Sequence, residues 1–530
     1  MKLGDRYLSL TSAFVLSYFT ATFTGTLGAI AQITPDKTLP VNSTVIKTDT
    51  TYTIDGGTTR GVNLYHSFRD FSVPTNNTAY FNNAGDIQNV VTRVTGNNIS
   101  NIDGTLKTNG NANLFLLNPN GITFGTNANL EIGGSFTAST GSSFKFADGS
   151  EFSATNPQAP PLLTTSITPG VQFGGSKQGA TITISATVYG SLSAGQDIVL
   201  DADKLDLQGQ INARDITLKA QDRINLAYYT IRSWQDLTIK AEDVVSSFSQ
   251  VNDINEVFSA GRDFTIEAKN LDLQGEFHVG RNLQFQAKDA INITKAGDYG
   301  IVSAGQDLII AAKTLDLRGD FRAGRDLQFQ AQDAIRVTNA NYPAQANAGD
   351  AIIVVNVNSP AQAIAGQDLT VTARNINLQG KFQADRDIDL KAQESLQISD
   401  LVSDLAIIPS TIAAGRDLLV QGGNVLDISA LQNFNSGFWS GEKTLGNMVF
   451  RSDNPIIGDA RIYANGDFRI EKLDRTSSGI FSPYAFSNGG AILAIGNISL
   501  GDYKGGSLSI LAGGSVTLGN VEILKPASAD

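Results

Sequence analysis

The chain has 530 residues, with 51 Asp and Glu against 39 Lys and Arg, a formal net charge of −12 and no cysteine. A length far above the usual domain size calls for several domains or one elongated repeat. The acidic balance argues against nucleic acid or an anionic membrane as the main partner, and the lack of cysteine excludes a disulfide framework, so cohesion must come from burial and hydrogen bonding.

Met1-Lys2-Leu3-Gly4-Asp5-Arg6 is weakly basic, and a moderately apolar run from Tyr7 to Ile30 leads to Ala29-Ile30-Ala31. This pattern predicts a secretory signal peptide over residues 1–31 with an Ala-x-Ala cleavage site. The alternative is a transmembrane anchor, which the many Thr and Ser residues disfavour. Strand-like pieces follow at Thr44-Val45-Ile46 and Thr51-Tyr52-Thr53-Ile54, then a turn at Asp55-Gly56-Gly57. A stacked solenoid needs its first rung covered, because an open β edge pairs with other chains, and residues 32 to about 75 are expected to be that cap.

The most informative stretch is Asn113-Leu114-Phe115-Leu116-Leu117-Asn118-Pro119-Asn120-Gly121-Ile122-Thr123-Phe124-Gly125. Leu114 to Leu117 is too short for a helix and continuously apolar, which predicts a strand buried on both faces. Asn118-Pro119 forces a turn: Pro119 has a fixed φ and no N–H, Asn118 and Asn120 can bond neighbouring backbone, and Gly121 permits a positive φ. Around this corner stand Phe81-Asn82-Asn83, Asp86-Ile87, Arg93-Val94-Thr95-Gly96, Ser100-Asn101-Ile102-Asp103-Gly104 and, after it, Leu130 and Gly133-Gly134-Ser135-Phe136. In that order these words resemble the secretion domain of filamentous haemagglutinin-type exoproteins, in a cyanobacterial-like variant, over roughly residues 34 to 155. The upstream Asn-Pro-Asn-Leu word of many members has only a loose stand-in here, Asn76-Asn77-Thr78.

The resemblance implies two-partner secretion. The N-terminal domain would be recognised by an outer-membrane barrel transporter with periplasmic recognition domains, and the chain would fold outside as a right-handed parallel β-helix. On that reading Asn118, Pro119, Asn120, Gly121 and Ile122 form the transporter-recognition set.

Thr155-Asn156-Pro157-Gln158-Ala159-Pro160-Pro161 interrupts the strand patterning, which resumes at Val171. It is expected to be one excursion from a continuous solenoid rather than a linker. The secretion domain is therefore placed at residues 32–160 and a repeat β-helix at 161–530.

From Ser193 onward one phrase recurs: Ala194-Gly195-Gln196-Asp197-Ile198, Ala260-Gly261-Arg262-Asp263-Phe264, Ala304-Gly305-Gln306-Asp307-Leu308, Ala323-Gly324-Arg325-Asp326-Leu327, Ala365-Gly366-Gln367-Asp368-Leu369 and Ala414-Gly415-Arg416-Asp417-Leu418. Weaker copies stand at Asp215, Asn282 and Asp387, at intervals of 18 or 19 residues from their predecessors. A fixed period of this size signals a solenoid. Within a unit, apolar residues alternate with polar ones at Ile198, Leu200 and Ala202, then Leu205 and Leu207, then Ile211 and Ala213. That pattern predicts three strands per coil, an all-β parallel β-helix of about 25 coils and about 120 Å at the strand spacing.

The recurrent Asp is read as a turn acceptor whose charge is offset by the neighbouring Arg262, Arg281, Arg325, Arg386 and Arg416. Calcium binding as in nonapeptide β-rolls would need an acidic turn every nine residues or so, so no cofactor or metal is expected. Breaks in the period at 338–363, 431–460 and 471–490 predict loops or enlarged rungs. Their aromatics, Phe434, Phe438, Trp439 and Phe450, then Phe481, Tyr484 and Phe486, are read first as a plug for the C-terminal end of the column. The same residues, above all Phe438, Trp439 and Tyr484, are also the candidates for ligand-binding loops toward a cell-surface glycan or protein receptor.

Catalytic constellations are scarce: the two histidines, His66 and His278, lie far apart, and no nucleophile elbow or metal-ligand spacing stands out. His278 is expected on an exposed solenoid face. The overall reading is a non-enzymatic exoprotein or adhesin, secreted or held at the cell surface; the rival is an extracellular β-helical polysaccharide lyase or hydrolase, which would need an irregular polar cluster flanked by long loops.

Overall fold

The computed structural model describes residues 32–157, 170–172, 179–185, 191–247, 257–294, 301–338, 362–402, 407–431, 435–458, 460–475, 481–483, 491–505 and 508–524. The expected signal peptide, residues 339–361 of the expected insertion, Phe434, Tyr484 and Phe486 lie outside them.

The alternating pattern folds as it reads. In the repeat, Leu308–Arg318 covers two faces of one coil and Asp320–Ala323 the third. The longer strand pairs in parallel with Leu283–Thr294 of the coil below and Leu327–Thr338 of the coil above, and a register shift between Ala312 and Thr314 marks the bend between its two faces. Asp320–Ala323 pairs likewise with Ile301–Ala304 and Gln362–Ala365. Because the pairing is parallel and in register, inward residues stack on their own kind: Phe264, Leu283, Leu308, Leu327 and Leu369 form one row and Ile266, Phe285, Ile310, Phe329 and Val371 another, every member at most 1% exposed. The fold is thus a parallel β-helix with one column of buried side chains running from Ile33 to Tyr503.

Stacking is continuous across the Pro-rich stretch. Ile122–Phe124 pairs with Thr181–Ile184, and Phe136–Ser139 with the start of Ile198–Ala213, so the coil after the Pro-rich stretch seats directly on the coil before it. The expected cap is antiparallel, Ser43–Thr48 against Thr51–Gly56 and Thr58–Arg60 against Asn63–Asp70. It ends earlier than about residue 75, since Asn63–Asp70 already pairs in parallel with Asn89–Val94 as the first coil.

One corner carries a polar row along the whole column. Register places Asn63, Asn89, Asn113 and Ser135 in it, then Asp197, Asp215, Asp236, Asp263, Asn282, Asp307, Asp326, Asp368, Asp387, Asp417, Asn447, Asp467, Asn497 and Ser515. These four and fourteen make 18 rungs among the described residues, about 80 Å at a spacing of about 4.8 Å, rather than the expected 25 or so. The coils are longer than the bare period suggests: Asp417 to Asn447 and Asp467 to Asn497 each take 30 residues.

From Asp215 to Asn497 each carboxylate or carboxamide in the row accepts the N–H of the residue one coil above. Asp236 Oδ1 takes the N–H of Asp263 (3.2 Å), Asp263 that of Asn282 (3.2 Å), Asp368 that of Asp387 (3.2 Å), and Asp467 that of Asn497 (2.7 Å). On six of the nine rungs from Asp197 to Asp387 an arginine from above adds a two-pronged pair. Arg214 Nε and Nη2 reach Asp197 at 2.9 and 2.8 Å, and Arg262, Arg281, Arg325, Arg386 and Arg416 grip Asp236, Asp263, Asp307, Asp368 and Asp387 in the same way. The arginines therefore neutralise the row across coils. Asp263, Asp307 and Asp368 are held below the ordinary carboxylate range chiefly by the hydrogen bond from that arginine.

The C-terminal reading needs correction. Phe438 lies on the strand Gly437–Ser440, between Ile412 below and Ile462 above, and packs edge-on against Phe450 at 4.9 Å, which in turn meets Phe468 at 5.3 Å. Phe438 and Phe450 are 0% exposed. They fill the middle of the column, and regular pairing continues beyond them to Val521–Ile523, so neither is a loop residue nor a terminal plug. Phe438 in consequence has no face to offer a ligand.

The Gly at the third-to-first corner is required by the same close stacking: a Cβ on Gly305 would stand 2.2 Å from the Gly280 carbonyl oxygen, whereas one on Gly85 would meet nothing within 4 Å. Gly305→Ala is expected to lower stability by roughly 1–3 kcal/mol through overpacking, and Gly85→Ala to stay within about 0.5 kcal/mol of the parent. Denaturant midpoints measured side by side check both. In acid, the arginine-gripped carboxylates contribute stability that is complete above the unfolded carboxyl pKa and is lost as pH falls through their lower folded values. Asp307→Asn is accordingly expected to lower stability at neutral pH and to flatten the fall in acid, its curve converging on the parent's at the acid end, read by denaturation across pH 2–7.

Candidate functional site

Leu114 and Leu116 point into the solenoid column, while Phe115 and Leu117 point outward. The outer face is not open, because an antiparallel hairpin, Ser143–Lys145 with Glu151–Ser153, lies across it. Tyr65, Val91, Phe115 and Leu117 of successive coils meet Phe144, Phe146 and Phe152 of that hairpin in a second apolar cluster, with Tyr65 and Phe152 ring centres 4.9 Å apart. This is why the run is apolar at every position.

The Asn-Pro-Asn-Gly corner ends that strand. Asn118 is 0% exposed. Its Nδ2 donates to the Asn98 carbonyl (3.0 Å) and to Ser100 Oγ (2.9 Å) of the coil below, and its Oδ1 accepts from the backbone N–H (3.0 Å) and Nδ2 (2.9 Å) of Asn120. Asn120 Nδ2 also donates to the Gly96 carbonyl at 2.8 Å. The Gly121 N–H closes the turn on the Asn118 carbonyl (3.1 Å), and Gly121 has φ of +121° with the Thr181 carbonyl packed above it. Pro119 is buried and Ile122, 0% exposed, enters the core column. The structure thus gathers all five predicted residues into one corner that ties a coil to its neighbours, with only Asn120 partly open to solvent.

A second polar centre lies on the same outer face. Arg93, 0% exposed, donates through Nε to Ser67 Oγ (3.0 Å), through Nη1 to the Ser153 carbonyl of the hairpin (2.8 Å) and through Nη2 to Thr38 Oγ1 (3.0 Å), and its guanidinium lies 4.1 Å from the Phe152 ring centre. Thr38 and Ser67 pass these contacts to Asp36, which also accepts from Thr95 Oγ1 at 2.6 Å. Burial lowers the Arg93 pKa to about 10, with Asp36 working against that fall. Burial works to raise the Asp36 pKa, but hydrogen bonds from Thr95, Ser67 and Thr38 outweigh it and hold the carboxyl below its ordinary value. One buried cation thereby joins cap, first coils and hairpin. Sequence reading quoted Arg93 without a role and missed Asp36, Thr38 and Ser153. The one available signal was a lone arginine inside Asn89–Val94.

Of the candidate ligand-binding aromatics, Trp439 is on a strand, outward and partly exposed, between Ala413 and Tyr463. The row goes on through Leu493 and Leu511, with Tyr463 39% and Leu511 67% exposed. His278 is on the outer surface with Ser303 Oγ at 3.0 Å and Glu276 at 3.2 Å. Among the described residues no group of three His, Cys, Asp or Glu is placed to hold a metal ion, and no helix is long and apolar enough to cross a membrane.

The fold and this corner define a capped module at the head of a parallel β-helix. Residues 31–279 match the family model described as TPS secretion domain. That segment is thus a two-partner secretion domain, the kind carried by two-partner secretion exoproteins. The match runs past the Pro-rich stretch into the first repeated coils, beyond the expected domain end at residue 160. No curated protein matches the chain. Solved structures do, among them the HMW1 secretion domain from Haemophilus influenzae, at 15% identity over 92% of this chain and 100% of that one, with a TM-score of 0.31.

Asn118→Ala removes two donors and one shared acceptor from a sealed corner and is expected to cost about 2–3 kcal/mol. Asn120→Ala should cost about 1 kcal/mol, and Arg93→Met about 3–5 kcal/mol, because the buried partners of the cation lose it together. Urea unfolding of the purified chain, followed by far-UV circular dichroism, orders the three.

Proposed function

We propose that this exoprotein is exported across an outer membrane by a cognate barrel transporter whose periplasmic domains engage the N-terminal secretion domain, and that the rod then acts outside the cell as an adhesin. The match of residues 31–279 to the TPS secretion domain carries the reading. Asn118 and Ile122 are sealed in the folded corner, so the transporter meets this segment before it folds. Asn118 and Asn120 then act by closing a coil on its template, and each closed coil disfavours return of the chain through the pore.

The adhesive surface is the outward row Trp439, Tyr463, Leu493 and Leu511, an apolar stripe in which Tyr463 and Leu511 are exposed and the other two partly so. Such a stripe supports contact with a receptor on another cell; Tyr484 lies outside the described residues and adds nothing to it.

The test is secretion of the full chain with and without its transporter, repeated with Asn118→Ala plus Asn120→Ala. Medium-borne protein should require the transporter and fall several-fold in the double variant. Release that ignores both the transporter and the variant would overturn the reading. For the adhesive half, Trp439→Ala with Tyr463→Ala should leave secretion unchanged and reduce cell binding several-fold; unchanged binding would remove this face from the account.

A further inference from the structure

His66 is the one histidine inside the column, and it stands at the joint between cap and first coil. It is 0% exposed. Its ring is held between Phe68 (6.0 Å, stacked) and Phe81 (5.5 Å). From the cap, Ser43 Oγ meets Nδ1 at 2.9 Å, and Gly57 lies so close that a Cβ there would be 2.9 Å from the ring. Nε2 is buried with no hydrogen-bond partner.

We propose that His66 is a proton-sensitive latch: neutral, it lets the cap of residues 32–62 close over the first coil, and protonated, it drives the cap off. An imidazolium carries two N–H donors, and this site offers an acceptor for only one of them. No charge is placed to compensate it either. On the packed strands, Lys47 lies over the Tyr52 ring at 4.8 Å, and Asp55 accepts from Asn82 at the surface. Tyr52 shares the core and Tyr80 is partly exposed. Tyr65 and Arg93 point to the opposite, hairpin-covered face, and Asp70 is engaged by Arg69 and Asn98. Burial alone pushes the His66 pKa down, to about 3.

The direction of the effect follows from linkage. The unfolded or uncapped state binds a proton near the ordinary histidine value of about 6.5, while the capped state does not until about pH 3. Stability of the capped state is therefore complete above about pH 6.5 and falls as pH drops, the closed-to-open ratio losing a factor of about ten per pH unit. Opening leaves the strand Asn63–Asp70 as a bare edge, so acid converts a sealed solenoid end into one that can accept a strand.

Amide hydrogen exchange of the full secreted chain between pH 7.5 and 4.5, corrected for intrinsic rates, tests this. Exchange across Ser43–Thr48 and Thr51–Gly56 should accelerate about tenfold per unit below pH 6.5, while Leu308–Arg318 in the rod stays protected. His66→Gln, neutral at every pH, should abolish the acceleration. Cap exchange that ignores pH, or that depends on pH equally in the Gln variant, would overturn the latch. Should that variant fail to fold, the parent still decides by NMR. With only two histidines in the chain, His66 should remain neutral in the capped state while the exposed His278 titrates. A His66 ring that titrates near pH 6.5 with cap amides still protected would overturn the proposal.

Discussion

The structure depends on one repeated contact: a short polar side chain at a corner of most coils accepts the backbone N–H that the next coil presents at the same corner. Strand hydrogen bonds alone leave a parallel solenoid free to slip by one residue, which would turn every core side chain outward. An acceptor fixed at the start of the first strand removes that freedom. The residue type varies with position, Asn in the first three coils and mostly Asp from Asp197 onward. In the secretion domain the carboxamides bond directly to one another, Asn89 to Asn63 at 2.8 Å and Asn113 to Asn89 at 2.9 Å, before Asn113 hands over to the N–H of Ser135.

A column of carboxylates 4.8 Å or so apart would repel itself, and the arginines answer that in a patterned way. They occur on six of the nine rungs from Asp197 to Asp387, each gripping the Asp below. Where Gln235, Gln306 and Gln367 take the arginine position, the residues beneath are Asp215, Asn282 and Asp326. The coils that begin at Asp197, Asp263, Asp307 and Asp368 close on a tight glycine corner, at Gly209, Gly275, Gly319 and Gly380, with φ between +104° and +132°. Asp and Arg act here as structural material, which removes the main reason to read a metal site or an acidic catalytic face into the sequence.

Much of this was legible in the sequence because a solenoid repeats its own evidence: period, alternation and the Gly-Arg-Asp phrase each recur often enough to outweigh local noise. The double burial of Leu114 to Leu117 was also legible, though the hairpin that causes it was not, since Phe144 and Phe152 sit in a short stretch with no repeat to flag them. Long-range polar contacts such as Arg93 with Thr38 and Ser153 leave no local pattern at all. Phe438 misled for a related reason. Its coil is enlarged to 30 residues, so the period broke and the strand inside it read as a loop, although its inward position follows the same alternation as Ile412 and Ile462.

The most direct test of the polar row is native-state hydrogen exchange at its own amides. The N–H groups of Asn282, Asp307, Asp326 and Asp368 lie at solvent-facing corners, where unbonded amides exchange freely. If side-chain acceptors one coil below hold them, they should exchange as slowly as the strand amides of Leu308 and Ile310. Exchange at solvent-limited rates, with those strand amides still protected, would contradict the claim that this row sets the register of the rod.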